Sequence, residues 1–423
     1  MLTPTLRAAS LALAFVSVAA AACGGPPPSE EVGSAEAALS RFPEVAEKDL
    51  AVVFALDSNA PIRASDPTRA GALLPRTWYG AVSNAFRATD VGDALDTESA
   101  YGDWQIISMR IAPCSALGSS PSANVDHLCW PELRIVWQPV IHDVFIHQRF
   151  ATSFADDRAM HALYDVPAEV GLGSAEAARA RALTQQIRAF DATWRGGPYA
   201  PLAPRELAEF DALRDRVVTQ LLTRVRALRE PSVTPLAFQG HGERPESMQS
   251  LAGQSAFRQR VLDLLADMAR PAGLKTLTAF SLPEGREPAH LDTWIFLSFR
   301  GQSGSLTAED IRLVSRVDGR TLVNVGRSVH ATTGADDDAF RSSTDAEVKD
   351  SIILSGADIA RLKPVLRDRR QRLVPNTGCA SCHQMNDLRF DFHNLGYLED
   401  RELTVAPRVV TDVALDLAWL SRP

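Results

Sequence analysis

Long apolar runs are almost absent from this sequence of 423 residues. The one exception lies at the start, where the run from Ala8 to Ala22 follows a single cation, Arg7. This run is too short to span a bilayer and has the build of a secretory signal peptide. We therefore expect the chain to be exported, with residues 1–22 as the signal peptide and no transmembrane helix in the rest.

Positive charge is also in deficit, with 44 Lys and Arg against 52 Asp and Glu, a formal net charge of −8. An acidic protein is repelled by phosphate backbones, which argues against nucleic acid as a partner. The sequence also has no P-loop, dinucleotide fingerprint, nucleophile elbow or metalloprotease motif. A redox partner protein or a small electron donor or acceptor remains compatible with these features.

The first of the five cysteines, Cys23, directly follows the apolar run. The segment Ala20-Ala21-Ala22-Cys23 resembles a bacterial lipobox, in which signal cleavage leaves a lipid-modified cysteine as the first mature residue. Leu, Val or Ile is usual where Ala20 stands, so an ordinary signal peptide that leaves a free thiol is the alternative. The resemblance implies a lipid anchor on Cys23 in the membrane, with residues 23–48 as a tether.

Two further cysteines, Cys114 and Cys129, bracket a segment rich in Ser, Pro and Asn. Pro113 and Pro131 flank the pair, as expected for an exposed excursion between two strands. Because disulfides persist outside the cytoplasm, we expect these two cysteines to be bonded to each other.

The last two cysteines belong to the sequence Cys379-Ala380-Ser381-Cys382-His383, which resembles the haem attachment site of c-type cytochromes. In that site two thiols reach the two vinyl groups along one porphyrin edge, and the next residue places an imidazole under the iron. The resemblance implies one covalent haem c, attached at Cys379 and Cys382, with His383 as an axial iron ligand. A redox-active disulfide of thioredoxin type and a zinc site completed by His393 are the alternatives.

The second axial ligand does not follow the usual cytochrome layout. A methionine tens of residues after the motif is typical, but Met385 lies too close to His383 to reach the opposite haem face. His393 is far enough along an extended chain to pass around the porphyrin edge. Alternatives are a histidine from the upstream region, or an open face at which peroxide or a small gas could bind. The upstream candidates are His241, His290 and His330.

The pattern of apolar and turn residues predicts an α+β protein, in which a mixed α/β region with a helical hairpin precedes a small, mainly helical haem-binding segment. We place the extracytoplasmic α+β region at 49–344, with subdivision points near 170 and 235, and the haem-binding domain at 345–423. Apolar alternation predicts seven strands, Ala51–Ala55, Gln105–Ala112, Arg134–Trp137, Val144–Phe150, Thr293–Arg300, Ile311–Val317 and Thr321–Val325. Helical periodicity and capping residues predict five helices, Gly173–Arg195, Pro204–Arg229, Ser247–Met268, Ser355–Leu373 and Val409–Leu420.

The motif in an exported chain favours a monohaem cytochrome that transfers single electrons outside the cytoplasm. An open iron face would instead favour a haem peroxidase-like enzyme or a gas-binding or redox-sensing protein. In a third hypothesis the haem is structural and the upstream region recognises a ligand. The sequence leaves these three hypotheses open.

Overall fold

The computed structural model describes most of the chain between residues 41 and 422 and lacks a description of several segments. The described ranges are 41–54, 61–69, 71–88, 100–117, 128–142, 145–146, 149–150, 153–155, 158–196, 198–228, 251–281, 293–302, 304–309, 311–317, 320–326, 328–332, 347–349 and 407–422. All of them belong to one unit, residues 40–423.

The centre of the fold is an antiparallel sheet in which nine of the described strands take part. Its main path runs β1, β4, β5, β9, β10, β11, β12, while β8 pairs with β5 and β15 pairs with β11. The strands of this sheet are β1 (Ala51–Val53), β4 (Trp104–Ala116), β5 (Cys129–His142), β8 (Ser153–Ala155), β9 (Ala159–Asp165), β10 (Leu274–Ser281), β11 (Thr293–Gln302), β12 (Ser305–Glu309) and β15 (Ser328–Thr332).

Smaller sheets lie beside the main one. Strands β13 and β14 form an antiparallel pair, and β16 joins β13 in parallel. Two further pairs are β2 with β3 and β6 with β7. The bounds of these strands are β2 (Pro67–Thr68), β3 (Gly71–Ala72), β6 (Phe145–Ile146), β7 (Arg149–Phe150), β13 (Ile311–Val317), β14 (Arg320–Gly326) and β16 (Glu347–Lys349).

Six α-helices surround the main sheet within the described ranges. They are α1 (Glu47–Leu50), α2 (Arg76–Arg87), α3 (Ser174–Thr193), α4 (Pro204–Arg226), α5 (Leu251–Met268) and α6 (Pro407–Leu420). Helix α4 packs on β5, α6 packs on β4, and α2 packs on β11 and β12. Three short 3-10 helices, Ala100–Asp103, Ala168–Val170 and Pro271–Gly273, join these elements.

The predicted helical hairpin is present as α3 and α4, which contact each other. Pro204 begins α4, where the missing backbone N–H of proline costs nothing. The chain enters α3 through Gly171, which lies against α4. A Cβ at Gly171 would stand 2.7 Å from the backbone oxygen of Arg216, so only glycine allows this approach.

The predicted α+β class is confirmed, and most predicted elements are found within a few residues of their expected bounds. The predicted strand Ile311–Val317 has the same bounds as β13. The predicted strand Val144–Phe150 is split, with β6 and β7 as its two described parts. The predicted helix Ser355–Leu373 lies outside the described residues.

One buried apolar cluster runs through the sheet and the helices that cover it. Helix α6 contributes Val413, Trp419 and Leu420 to this same cluster. The last predicted helix therefore packs with the upstream α+β region.

Candidate functional site

The residues of the predicted haem site lie outside the described ranges. This applies to Cys379, Cys382, His383 and His393, which fall within 350–406, and to Cys23. Among the upstream candidates for the second axial ligand, His241 and His290 also lie outside. His330 lies on β15, where it pairs with Ile295 of β11. These haem-site assignments therefore stay predictions.

The chain on both sides of residues 350–406 is described. Upstream, β16 ends at Lys349 after pairing in parallel with β13. Downstream, α6 begins at Pro407 and packs against β4 and α1. The segment that carries the motif therefore lies between β16 and α6 in the sequence. Of these two elements, α6 makes the contacts described next.

Helix α6 is held to the sheet by a buried ionic cluster. Arg110 on β4 donates from Nη1 to Oδ2 of Asp412 at 2.8 Å and from Nη2 to Oδ2 of Asp416 at 3.2 Å. The two aspartates lie four residues apart and therefore on one face of the helix. The Asp416 side chain has no exposed surface, and that of Arg110 is 13% exposed.

Burial and pairing act in opposite directions on this arginine. Burial lowers the pKa of Arg110, but the charges of Asp412, Asp416 and Glu132 and the hydrogen bond to Asp416 together raise that pKa above its ordinary value. The guanidinium therefore keeps its charge at every physiological pH. The arginine side of the ion pairs that join α6 to β4 is therefore always charged.

A second buried arginine contacts the end of α6. The Arg214 guanidinium on α4 lies 5.3 Å from the centroid of the Trp419 ring, and that ring stacks on Phe42 at 5.2 Å. Burial lowers the pKa of Arg214, the nearby Asp211 carboxylate raises it, and the net direction is downward. Trp419 thus packs in the protein core.

The predicted disulfide is present between Cys114 on β4 and Cys129 on β5. The two Cα atoms are 5.0 Å apart, and both side chains are fully buried. Nη1 of Arg214 lies 3.9 Å from the Cys129 sulfur. The disulfide, Arg214 and Trp419 therefore form a continuous chain of contacts from the sheet to α6.

The aromatic residues of the upstream region are core residues, as expected from the sequence. Trp78 and Trp104 are each 1% exposed, and Trp130 is 4% exposed. The indole N–H of Trp78 donates to the Gly304 carbonyl at 2.8 Å, which ties α2 to the turn between β11 and β12. These rings hold the sheet and its helices together.

Asp412 and Asp416 are not among the residues predicted from the sequence. Their signal was available: two acidic residues four apart on the buried stripe of an otherwise apolar helix require a cation from elsewhere. The identity of that cation was not available, because Arg110 precedes Asp412 by 302 residues.

In the part of the chain that the structure describes, no group of three or more His, Cys, Asp and Glu side chains is placed to hold a metal ion. The helices with described residues include none with both the length and the apolarity needed to cross a membrane.

Neither the known protein families, nor curated proteins, nor solved structures include a match to this chain.

Proposed function

We propose that this protein is an exported, membrane-anchored c-type cytochrome with one covalent haem, which transfers single electrons outside the cytoplasm. The observation that carries the proposal is the sequence Cys379-Ala380-Ser381-Cys382-His383 in a chain that begins with a signal-peptide pattern. Cys23 carries the lipid anchor. The electron partner is a redox protein or a small donor or acceptor.

The donor set fits a haem. Two thiols at this spacing can form thioether bonds to one porphyrin edge, and the adjoining imidazole is a strong iron ligand. When bound, the haem supplies a one-electron couple between ferric and ferrous iron. The roles of the chain are attachment through Cys379 and Cys382 and axial ligation through His383.

The disulfide supports this proposal in two ways. Disulfides persist mainly in oxidising compartments, which agrees with an exported protein, and covalent haem is attached outside the bacterial cytoplasm. The bond between Cys114 and Cys129 also removes both of these cysteines as partners for the motif. Cys379 and Cys382 are then available to the haem.

The test compares three forms of the mature chain produced in a periplasm that contains haem-attachment machinery. The unaltered chain should show a ferrous haem spectrum, and its haem should stay attached on denaturation. The double variant Cys379→Ser, Cys382→Ser should lose the covalent haem, since no thiol remains to form a thioether.

Ser381→Ala is the matched control, because it changes the motif without removing a donor. It should keep full haem loading. A double cysteine variant that retains covalent haem, or an unaltered chain without haem absorbance, would overturn the proposal.

The second axial ligand in the proposal is His393. Two imidazole ligands give a low-spin ferrous spectrum that carbon monoxide does not shift, and they favour electron transfer over ligand binding. We expect the unaltered protein to behave in this way and His393→Ala to bind carbon monoxide.

If carbon monoxide already shifts the spectrum of the unaltered protein, the iron has an open face and the peroxidase-like or gas-binding alternative holds. His330→Ala serves as the control, because the imidazole of an upstream strand should not alter the spectrum when His393 is the ligand.

A further inference from the structure

A pocket of about 380 Å³ opens between α3, the end of β9 and two of the 3-10 helices. Its volume falls at the lower end of the range for small-molecule sites. Part of its wall is apolar, formed by Trp130, Val166, Pro167, Ala168 and Ala272. The indole N–H of Trp130 is already bonded to the Val166 carbonyl at 2.8 Å, so this residue offers the pocket an apolar ring.

Three guanidinium groups line the other side of the pocket: Arg181 and Arg188 on α3, and Arg270 after α5. Nη2 of Arg188 donates to both carboxylate oxygens of Asp165, at 2.8 and 2.7 Å. Nη1 of Arg181 donates to Glu169. Arg188 and Arg181 therefore each use one nitrogen to bind a neighbouring carboxylate.

The remaining donors of the three arginines are unused within the described part of the chain. An arginine offers five N–H donors in a planar fork. Neither Nε nor Nη1 of Arg188 bonds to a described residue. The Arg270 guanidinium makes no hydrogen bond there, and its ion pair with Oδ1 of Asp267 is long, at 3.8 Å.

Asp267 is shared among three arginines, and Arg270 is the farthest of the three from it. Arg69 lies 3.2 Å from its Oδ1, and Arg224 donates to its Oδ2. The pocket itself combines three cations with two anions, Asp165 and Glu169. This local positive balance contrasts with the net charge of −8 of the whole chain.

We propose that the pocket binds a small organic anion through a carboxylate or phosphate group, with a compact apolar body against the wall that includes Trp130. The unused N–H donors of Arg188 and Arg270 match the paired oxygens of such a group. The residues that line the pocket lie between Trp130 and Gly273 in the sequence and include none of the proposed haem-site residues.

The test measures binding of benzoate to the mature, haem-loaded chain by titration calorimetry. Benzoate combines a carboxylate with a compact apolar ring, and inorganic phosphate tests the anionic group alone. We expect one benzoate per chain and competition by phosphate at higher concentration. Competition of this kind would identify the oxyanion as the shared determinant, while benzoate binding without it would assign the carboxylate specifically.

Arg270→Gln is the decisive variant, because the side chain of this arginine makes no hydrogen bond to a described residue and its loss should not unfold the protein. Loss of a charge-assisted hydrogen bond should weaken benzoate binding about tenfold or more. Arg188→Gln should weaken it at least as much. Arg205→Gln, an exposed arginine at the start of α4, should leave binding unchanged.

Two results would overturn the proposal. The first is an absence of benzoate and phosphate binding up to about 10 mM, a concentration that would nearly saturate a site with a Kd near 1 mM. The second is equal weakening by Arg270→Gln and Arg205→Gln, which would indicate a nonspecific effect of net charge.

Discussion

At the scale of single residues, Arg110 joins β4 to α6 through two ion pairs. It is the shared partner of two buried aspartates on another element. Removing one side of a buried ionic cluster leaves the other side charged in a medium that solvates it poorly. Both ion pairs between α6 and β4 therefore depend on the Arg110 side chain.

We predict that Arg110→Ala lowers the free energy of unfolding by about 3–5 kcal/mol, the range for a broken buried pair. Denaturant unfolding followed by circular dichroism measures this change. Asp412→Asn combined with Asp416→Asn in the Arg110→Ala background should recover part of the loss, because the unpaired buried charges are then removed.

Arg300→Ala is the control for this prediction. Arg300 pairs with Glu309 at the surface, where its side chain is 55% exposed. Exposed pairs contribute about 0–1 kcal/mol. Similar losses in Arg110→Ala and Arg300→Ala would show that the buried cluster does not hold α6.

Sequence alone could predict the disulfide but not the Arg110 cluster. The two cysteines are 15 residues apart, and the proline-flanked excursion between them indicates a hairpin that brings them together. Arg110 and Asp412 come together only through the tertiary fold, which no local pattern encodes. The pocket arginines were unpredictable for the same reason, since Arg188 and Arg270 come from separate elements.

At the scale of elements, two exposed arginine–glutamate pairs link helices α3 and α4 of the hairpin. Arg216 on α4 binds Glu176 on α3 at 2.7 and 2.5 Å. Arg179 on α3 binds Glu209 on α4 at 2.8 to 3.1 Å. The hydrogen bond from each arginine lowers the pKa of its glutamate partner.

These shifts predict how the hairpin responds to acid. A glutamate whose pKa is lower in the folded chain stabilises that chain above its ordinary value of 4.5, and the stabilisation is lost as the pH falls through the folded value. We expect carboxyl NMR titrations of Glu176 and Glu209 to have midpoints below 4.5. Arg179→Gln should return only the Glu209 midpoint to the ordinary value, and a midpoint that does not move would contradict the pairing.

The elements were predictable where local signals were strong. Pro204 and the amphipathic pattern after it placed the start of α4 correctly. Strands β9, β10 and β12 and helix α2 were not predicted from the sequence. In β9, Ala159 and Met160 are both buried, so the alternation that identifies a half-exposed strand is missing there.

At the scale of the whole molecule, the observed disulfide and the proposed haem attachment are two different uses of cysteine. The buried disulfide Cys114–Cys129 joins two central strands of the sheet, whereas Cys379 and Cys382 are the proposed haem attachment residues. A disulfide can be reduced by thiols, but a thioether cannot. The two kinds of bond should therefore respond differently to a reductant.

We predict that Cys114→Ser combined with Cys129→Ser lowers the free energy of unfolding by about 3 kcal/mol, as expected for a loop of this length, and keeps the covalent haem. Unfolding of the unaltered chain in denaturant with dithiothreitol should show the same loss of stability. Release of haem under these reducing conditions would contradict thioether attachment.

The contact between β4 and α6 also limits when this part of the core can form during synthesis of the chain. Arg110 and Asp412 are separated by 302 residues, so β4 leaves the ribosome long before its covering helix exists. Until that helix is available, Arg110 lacks both of its acidic partners and the Trp419 ring is missing from its place against Phe42 and Arg214. We expect this face of the sheet to stay uncovered until the chain through α6 has been synthesised.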